Sequence, residues 1–388
     1  MTLTALITKN TLLVILISSF FLLSACLTTD KTRTTKETPV TTQEKFLIGT
    51  YTNDLSNGVY KISLNLKKQL LTNEGLIATA VNPSYLVLSK DQSTLYAATG
   101  SDSGSIDRFS WNTSLQKYEL MQQIKGLGKW TCHIALNPQE NQLAIANYGT
   151  GDVHMFAIES KNNLLSEAGY FKNTGNGPST RQTQSHMHFV SWDNEGKYLY
   201  AIDLGTDEIK VFNSSNKSFI PEVAAKLRPG DGPRHLIFHP KKPWVYVVNE
   251  LTNSVAVFTQ NKTNGKLMLI QYISIADEKN NNQPIENISS AIKISNDGQF
   301  IYAAIRGINK LAVLRVSNTG KVKLIQHHST LGDWPRDIAI SANQKYILIA
   351  NQRSNTINVL KRDTETGLLS STEMMLDISI PSYIGVFN

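Results

Sequence analysis

Arginine, histidine and glutamate residues stand at the two ends of a pair of apolar runs in GPRHLIFHPKKPWVYVVNEL, residues 232–251. Arg234 and His235 precede the first run, and Glu250 follows the second. Histidine and glutamate are common proton-transfer groups, and the guanidinium fork matches carboxylate and phosphate. The segment therefore carries the groups needed to bind an anion and to move a proton, provided that the fold brings its two ends together.

The elements that must position these residues form a repeat. Six segments share an apolar run, a turn rich in Asn, Asp, Gly, Pro or Lys, and a second run rich in Tyr, Ile, Val and Ala, which is the signature of a β-hairpin. They are PSYLVLSKDQSTLYAATG, TCHIALNPQENQLAIANYG, HMHFVSWDNEGKYLYAIDLG, PRHLIFHPKKPWVYVVNEL, SSAIKISNDGQFIYAAIRG and PRDIAISANQKYILIANQR. Most are followed by a further alternating strand, such as NSVAVFTQN.

The spacing of the copies predicts the fold. Their third residues lie 46 to 56 positions apart, and the C-terminal PSYIGVFN supplies a seventh first strand. These third residues are Tyr85, His133, His188, His235, Ala291, Asp337 and Tyr383. The missing partners of the seventh copy occur near the other end, as KFLIGTYTN and GVYKISLN. Such a period predicts an all-β, seven-bladed β-propeller whose last blade joins the C-terminal strand to N-terminal strands.

Propeller topology brings the polar ends together. The first strand of each blade lies innermost and the second runs antiparallel beside it, so the start of one and the end of the other meet at one mouth of the central channel. First strands are predicted to supply Tyr85, His133, His186, His188, Arg234, His235, Arg336, Asp337 and Tyr383. Second strands are predicted to supply Tyr51, Asn147, Tyr148, Asp203, Asn249, Glu250, Arg306, Asn351 and Gln352.

A mouth of this composition is basic and rich in hydrogen-bonding groups, which suits an anionic, oxygen-rich ligand. The residues expected to contact that ligand, besides the arginine and glutamate cluster, are His133, Asn147, Asp203, His235, Asn249, Arg336 and Gln352. His, Asp and Asn at strand starts often tie propeller loops together instead. A structural role therefore stays open for each of them.

Several motifs carry a resemblance to a known family. They are IGTYTN…SNGVYKISLN, NPSYLVLS, CHIALNP…ANYGTGDVHMF, RQTQSHMHFVSW, DLGTDEIKVF, GPRHLIFHP…YVVNELTNSVAVF and PRDIAIS…ANQRSNTINVL. In order and spacing they resemble the seven-bladed propeller lactonases, which include the propeller type of 6-phosphogluconolactonase and the fungal carboxy-cis,cis-muconate lactonizing enzyme. The resemblance runs from about Lys45 to the C-terminus.

The resemblance implies a hydrolase that opens an anionic sugar or organic-acid lactone at the channel mouth, with neither metal ion nor other cofactor. A histidine, a glutamate and two arginines are proposed to act together in the muconate enzyme. By motif they fall on His186 or His188, Glu250, Arg234 and Arg306. The histidine or Glu250 would activate water, and the arginines would hold the anionic group and stabilise the oxyanion.

The N-terminus predicts export. Lys9 precedes TLLVILISSFFLLSAC, an uncharged stretch shorter than the roughly 20 residues of a spanning helix. LSAC at 23–26 resembles the lipobox of bacterial lipoproteins, which implies acylation of Cys26. We expect a signal peptide over 1–25, a flexible Thr/Lys-rich tether over 26–44 and the propeller over 45–388, lipid-anchored on the periplasmic or cell-surface side of a bacterial membrane. An uncleaved anchor helix is the alternative.

Composition limits the other partners. The formal charge of +7 is spread along the 388 residues, and neither a basic stripe with interleaved aromatics nor a phosphate-binding glycine loop occurs, so we expect no nucleic-acid partner. We expect a monomer that takes a small anionic substrate. Without Cys26, Cys132 is the single cysteine, so no internal disulfide can form, and a small buried residue is expected there.

Two other functions fit parts of the sequence. A non-catalytic binding or scaffold propeller would share repeats such as YVVNELTNSVAVF but would not need Glu250 among arginines. A metal-dependent gluconolactonase-type propeller would need oxygen ligands converging on a cation, and the nearby arginines would oppose it. Because the chain is expected outside the cytoplasm, its substrate could be a sugar or organic lactone other than a phosphorylated metabolite.

Overall fold

The structure is a computed structural model that describes residues 42–52, 55–216, 218–277 and 287–387. The predicted signal peptide, the lipidation site at Cys26 and most of the predicted tether lie outside these ranges. The first strand begins at Gln43, ahead of the domain start expected at Lys45. It extends this far because the Glu44 carboxylate accepts hydrogen bonds from the backbone N–H groups of Ala342 and Asn343, at 2.6 and 3.1 Å.

All regular structure within the described ranges is β-strand. The strands are β1 Gln43–Thr50, β2 Gly58–Asn65, β3 Leu70–Thr79, β4 Pro83–Leu88, β5 Thr94–Thr99, β6 Ser105–Asn112, β7 Lys117–Lys125, β8 Thr131–Leu136, β9 Gln142–Asn147, β10 Asp152–Ile158, β11 Leu165–Lys172, β12 Met187–Trp192, β13 Tyr198–Asp203, β14 Glu208–Asn213, β15 Glu222–Lys226, β16 Pro233–Phe238, β17 Trp244–Asn249, β18 Ser254–Gln260, β19 Leu267–Ser274, β20 Ile288–Ile294, β21 Phe300–Arg306, β22 Lys310–Val316, β23 Val322–Ser329, β24 Pro335–Ile340, β25 Tyr346–Asn351, β26 Thr356–Arg362, β27 Leu369–Asp377 and β28 Pro381–Phe387. Among the residues described, none forms a helix of the length and apolar character that a membrane crossing requires.

These strands form seven four-stranded antiparallel sheets, which confirms the predicted propeller. Blade 1 has the order β28-β1-β2-β3, so the C-terminal strand closes a blade built from the first strands of the domain. Blades 2 to 7 each take four consecutive strands, β4–β7, β8–β11, β12–β15, β16–β19, β20–β23 and β24–β27. The closure ties the two ends of the domain together, because β28 pairs with β1.

The core lies between neighbouring blades. Tyr246 and Val248 of β17, for example, pack in one cluster with Ile301 and Ala303 of β21 in the next blade, and all four are buried. The second strand of each blade is covered on both faces, which is why it reads in sequence as a continuous apolar run rather than as an alternating one. Apolar burial of this kind supplies most of the stabilisation of the fold.

Every first strand is interrupted by a β-bulge close to its beginning. The register shifts by one residue between β28 and β1, β4 and β5, β8 and β9, β12 and β13, β16 and β17, β20 and β21, and β24 and β25. The residues at the bulges are Ser382, Ser84, Cys132, His188, Arg234, Ser290 and Arg336. A bulge leaves one residue without an opposite partner and turns its side chain out of the strand's alternation.

The bulges correct the alignment expected for blade 4. His188 was expected at the position of His133 and His235, but β12 begins at Met187, and His188 is the bulged residue. Phe189 takes the position of the other two, because it pairs with Ile202 as His235 pairs with Val248. His188 is thus the equivalent of Arg234 in the next blade.

At three blades the bulged residue is a serine that joins neighbouring blades. The Ser84 hydroxyl donates to the carbonyl of Thr131 at 2.7 Å. Ser290 donates to Pro335 at 2.6 Å and Ser382 donates to Pro83 at 3.1 Å, in each case across to the next blade. The remaining four blades carry Cys132, His188, Arg234 and Arg336 at the same position. The Cys132 thiol and the Arg234 guanidinium also contact carbonyls of the next blade, those of His188 at 3.3 Å and Ser290 at 2.6 Å.

Candidate functional site

A cavity of about 350 Å³ lies at the mouth of the channel where the first strands begin. We call it the mouth cavity. Its lining residues are Tyr51, Gly100, Trp130, Thr131, Cys132, Tyr148, Arg181, His188, Arg234, Glu250, Arg306 and Arg336. The volume falls in the range of small-molecule sites.

Two backbone positions supply most of this lining. The first is the bulge, which contributes Cys132, His188, Arg234 and Arg336. The second is the position at or just beyond the end of the second strand, which contributes Tyr51, Gly100, Tyr148, Glu250 and Arg306. The fold therefore presents one site from the same two positions in successive blades.

Glu250 is the centre of the charged part of the mouth cavity. Its Oε1 accepts a hydrogen bond from Arg181 at 3.0 Å, and its Oε2 lies 3.0 Å from Arg306. Arg234 Nε is also 3.0 Å from Oε2, although its N–H is not aligned for a hydrogen bond. One carboxylate and three guanidinium groups leave a surplus of positive charge around this point.

These ion pairs fix the protonation states. Burial alone raises the pKa of Glu250, but Arg306, Arg234 and Arg181 outweigh it and hold that pKa below its ordinary value. Burial lowers the pKa of Arg306 to about 10, in spite of Glu250. The glutamate is therefore ionised and the arginines are charged at neutral pH.

Backbone carbonyls hold the two deepest arginines. The Arg234 guanidinium donates to the carbonyl of Ser290 at 2.6 Å, and the Arg306 guanidinium donates to the carbonyl of Ser289 at 2.9 Å. Arg306 also lies over the ring of Trp334, 5.3 Å from its centroid. The two groups are thus locked in place before any ligand binds, which is the condition for electrostatic stabilisation of a transition state.

Arg336 occupies another sector of the mouth cavity. It donates to the Tyr51 hydroxyl at 2.7 Å and to Gln352 Oε1 at 3.4 Å, and its guanidinium lies 5.1 Å from the centre of the Tyr51 ring. Gln352 therefore supports Arg336 from outside the cavity wall instead of lining it.

The two candidate catalytic histidines have different surroundings. His188 lines the mouth cavity, and its Nδ1 makes no hydrogen bond of normal geometry to the part of the chain that the structure describes. Burial, together with Arg234 and Arg336, lowers its pKa well below the ordinary histidine value, so the ring is neutral. His186 instead stacks on the ring of Tyr148 at 4.2 Å and donates from Nδ1 to the Tyr148 carbonyl at 2.8 Å, outside the cavity lining.

His133 and His235 lie deeper, where they fill the channel. The ring of His133 is 3.9 Å from those of both Tyr85 and Phe189, and His235 is 4.8 Å from Phe189. Burial is the largest cause that lowers the pKa of each histidine well below its ordinary value. These neutral rings are not among the residues that line the mouth cavity.

Asn147, Asp203 and Asn249 end their second strands but point away from the mouth cavity. Asn147 accepts from the Thr131 hydroxyl at 2.6 Å, and Asn249 donates to Ser254 at 2.9 Å. Asp203 accepts from the hydroxyl of Ser185 at 2.6 Å and from the backbone of the neighbouring loop. All three are fully buried and join loops to strands, the structural alternative that the sequence left open.

Several lining residues are absent from the sequence-based set. Arg181 opens the motif RQTQSHMHFVSW, but it lies in the loop before β12, and strand-end reasoning does not reach loops. Trp130 lies just before β8, and its exposed indole is held by a hydrogen bond to Asp102 at 3.0 Å. Cys132, expected as a small buried residue, is only partly buried and lines the cavity at a bulge, and burial raises the pKa of its thiol to about 12.

The donor set is that of an anion site. Glu250 is the sole carboxylate among the lining residues described, and it faces arginines. In the described ranges, no group of three or more His, Cys, Asp and Glu side chains is arranged to hold a metal ion.

Comparison with known proteins agrees with this architecture. The chain matches the family described as "Lactonase, 7-bladed beta-propeller" over residues 45–386. It belongs to the seven-bladed β-propeller lactonases. A 6-phosphogluconolactonase of Bacillus subtilis (strain 168) is 31% identical over 342 residues, which cover 86% of this chain and 95% of that protein. One of Formosa agariphila is 30% identical over 356 residues, which cover 88% and 98%.

A solved lactonase structure has the same fold. The periplasmic gluconolactonase of Pseudomonas aeruginosa superposes with a TM-score of 0.81 at 25% identity, over 89% of this chain and 99% of that one. The family predicted from the sequence motifs is therefore confirmed.

Proposed function

We propose that this protein hydrolyses an anionic sugar or organic-acid lactone in the mouth cavity, without a metal ion. The observation that carries the proposal is the arrangement of Arg181, Arg234 and Arg306 around Glu250, in one cavity with Arg336. Its surplus positive charge attracts an anionic substrate. The names of its lactonase relatives support the reaction type.

The reaction is addition of water to the lactone carbonyl. The water oxygen bonds to the carbonyl carbon while its proton passes to a base, and the carbonyl oxygen becomes an oxyanion. The ring C–O bond then breaks, and the ring oxygen takes the proton back to give the open-chain hydroxy acid. Arg234 and Arg306, which are already fixed by carbonyls of β20, stabilise the oxyanion in this scheme.

His188 is the proposed base. Its ring is neutral and lines the mouth cavity. Glu250 is less suited, because Arg181, Arg234 and Arg306 already surround its two carboxylate oxygens. We assign Glu250 the role of holding the three guanidinium groups in one place and His186 the role of supporting Tyr148.

The aromatic wall supports a ring-shaped substrate. Trp130 is 51% exposed, although it is a large apolar side chain, and its ring lies 6.5 Å from that of Tyr148. Aromatic faces and a few convergent polar groups are the usual lining of small-molecule sites. We propose that the lactone ring packs against this wall while its carbonyl faces Arg234 and Arg306.

The test is lactone hydrolysis by the purified protein, with and without a chelator. 6-Phosphogluconolactone, gluconolactone and several organic lactones would be assayed against the spontaneous rate. Turnover that resists the chelator is the expected result. Folded protein that turns over none of them would contradict the proposal and favour the binding or scaffold alternative.

We further propose that the protein is exported and anchored by a lipid on Cys26. The support is the apolar stretch that ends in LSAC, together with the periplasmic location stated for the similar Pseudomonas aeruginosa gluconolactonase. Cells expressing the wild type and Cys26→Ala would be labelled with a fatty-acid analogue and fractionated. We expect label and membrane association only in the wild type, and equal behaviour of the two would contradict the anchor.

A further inference from the structure

The four guanidinium groups of the mouth cavity fall into two classes. Arg181, Arg234 and Arg306 all contact the Glu250 carboxylate. Arg336 makes no ion pair with a carboxylate within the described ranges, and its hydrogen-bond partners, Tyr51 and Gln352, are neutral. Among the described residues, no carboxylate offsets its charge at short range.

Arg336 is also more accessible than Arg234 and Arg306. Arg234 and Arg306 are 3% and 6% exposed, and backbone carbonyls occupy part of their N–H groups. Arg336 is half-buried and lines the cavity from the bulge of blade 7. A guanidinium has five N–H donors, and the two hydrogen bonds of Arg336 leave donors for a ligand.

Its orientation is nevertheless fixed. The bulge directs the side chain out of β24, the Tyr51 hydroxyl accepts from it at 2.7 Å, and the Tyr51 ring lies 5.1 Å away. Arg336 belongs to blade 7 and Glu250 to blade 5, so the two charged groups approach the cavity from separate blades. A ligand that fills about 350 Å³ can contact both.

We infer that Arg336, held by Tyr51, selects substrates that carry an anionic group away from the lactone ring bond that is cleaved. This inference rests on the proposed lactonase function, in which the reacting carbonyl faces Arg234 and Arg306. The recognised group is a carboxylate or phosphate, because both accept two parallel hydrogen bonds from a guanidinium. Arg336 is a specificity-determining residue in this scheme, whereas Arg234 and Arg306 stabilise the oxyanion that forms from the reacting carbonyl.

The test uses the open-chain products, which are stable, so that binding is measured without turnover. Gluconate, glucarate and 6-phosphogluconate share a carbon chain and differ at C6, which is an alcohol, a carboxylate or a phosphate. Isothermal titration calorimetry would compare their dissociation constants for the wild type, Arg336→Gln and Arg336→Lys. Comparison of glucarate with 6-phosphogluconate shows whether the recognised group is a carboxylate or a phosphate.

We expect the wild type to bind at least one C6-anionic product more tightly than gluconate. Arg336→Gln should weaken that binding about 10- to 100-fold, the usual range for a charge-assisted hydrogen bond, and should leave gluconate nearly unchanged. Arg336→Lys should recover part of the loss, since it keeps the charge but not the fork. The difference in affinity between the wild type and Arg336→Gln should shrink as salt is added.

Arg315→Gln is the matched control. Arg315 is exposed near the end of β22, away from the mouth cavity, and its guanidinium lies over Phe300. The Arg315→Gln substitution removes the same charge and should leave the affinities for gluconate, glucarate and 6-phosphogluconate unchanged. An Arg336→Gln effect that is equal for gluconate and the C6-anionic products, or no effect on any, would overturn the inference. Because no catalysis is needed, failure of the proposed hydrolysis would show separately as an absence of turnover in the wild type.

Discussion

The central channel has a cavity at each end, and the two differ in chemistry although the same inner strands build both. The mouth cavity, about 350 Å³, holds four arginines and one glutamate. The far cavity is larger, about 470 Å³, and lies where β12, β16, β20, β24 and β28 end. Its lining is mostly Ile, Val, Leu, Phe and Ala, with Lys293 as its one charged lining residue among those described.

The difference follows from local backbone geometry. At the mouth, a bulge in each first strand turns one residue out of the alternation, and in four blades that residue is Cys132, His188, Arg234 or Arg336. Beyond the bulge the strands pair regularly, so their later residues alternate and present apolar side chains to the far cavity. Charged side chains are concentrated where the strand is irregular, and the larger cavity has fewer of them.

The largest effect should come from Glu250→Gln, which removes the counter-charge of three arginines. We expect kcat/KM to fall by about 10²- to 10⁴-fold, because the guanidinium groups that face the reacting carbonyl lose their common anchor. Steady-state kinetics would measure the loss, and thermal unfolding would show whether the variant is folded. A folded variant with wild-type kcat/KM would contradict the role of Glu250 and weaken the contrast between the cavities.

Replacing the proposed base should have a comparable or smaller effect. His188→Gln should lower kcat by about 10²-fold or more. The wild type should keep its kcat/KM as the pH falls from 8 to 6.5 and lose it only at lower pH, because the neutral ring is the active form and its pKa lies well below 6.5. A pH profile corrected for spontaneous hydrolysis would test this. A wild-type profile that falls above pH 6.5, or one that His188→Gln leaves unchanged, would assign the base elsewhere.

Trp130→Ala should have a moderate effect confined to binding. Loss of the exposed indole removes part of the wall against which the lactone ring packs, so KM should rise about 10-fold with kcat nearly unchanged. Steady-state kinetics with saturating lactone would separate the two constants. A large fall in kcat at constant KM would instead place Trp130 in the chemical step.

The smallest effect should come from the far cavity. Lys293 is paired loosely with Asp337, at 3.7 Å, and its replacement by Gln removes the one charge in that lining. We expect kcat and KM within about twofold of the wild type, since Lys293 lines the far cavity, which shares no lining residue with the mouth cavity. Parallel kinetics on Lys293→Gln and Glu250→Gln would measure the contrast between the two cavities. A strong defect in the lysine variant would show that the far cavity takes part in the reaction.

The blades and the mouth could be predicted from the sequence, because hairpins with a fixed period leave few alternatives. Arg234, Glu250, Arg306, Arg336 and His188 do line the mouth cavity. The detailed direction of each side chain could not be predicted. Asn147, Asp203 and Asn249 lie one residue before the lining position and are buried, since a shift of one residue along a strand reverses the side to which a side chain points.

The bulges explain the other differences. Each adds one residue to a strand without changing its apolar character, so the sequence pattern alone placed His188 with His133 and His235, whereas the pairing places it with Arg234. Arg181 reaches the site from a loop that carries no periodic signal. Strand periodicity predicts which end of a blade holds the site, and only the register shows which residue faces it.

The most direct test of the account is a crystal structure of the protein with a bound open-chain product, 6-phosphogluconate or glucarate. The account predicts density for the product in the mouth cavity, with its newly formed carboxylate beside Arg234 and Arg306 and its C6 anion beside Arg336. Density in the far cavity, or in the mouth cavity without contact to any of these arginines, would contradict it.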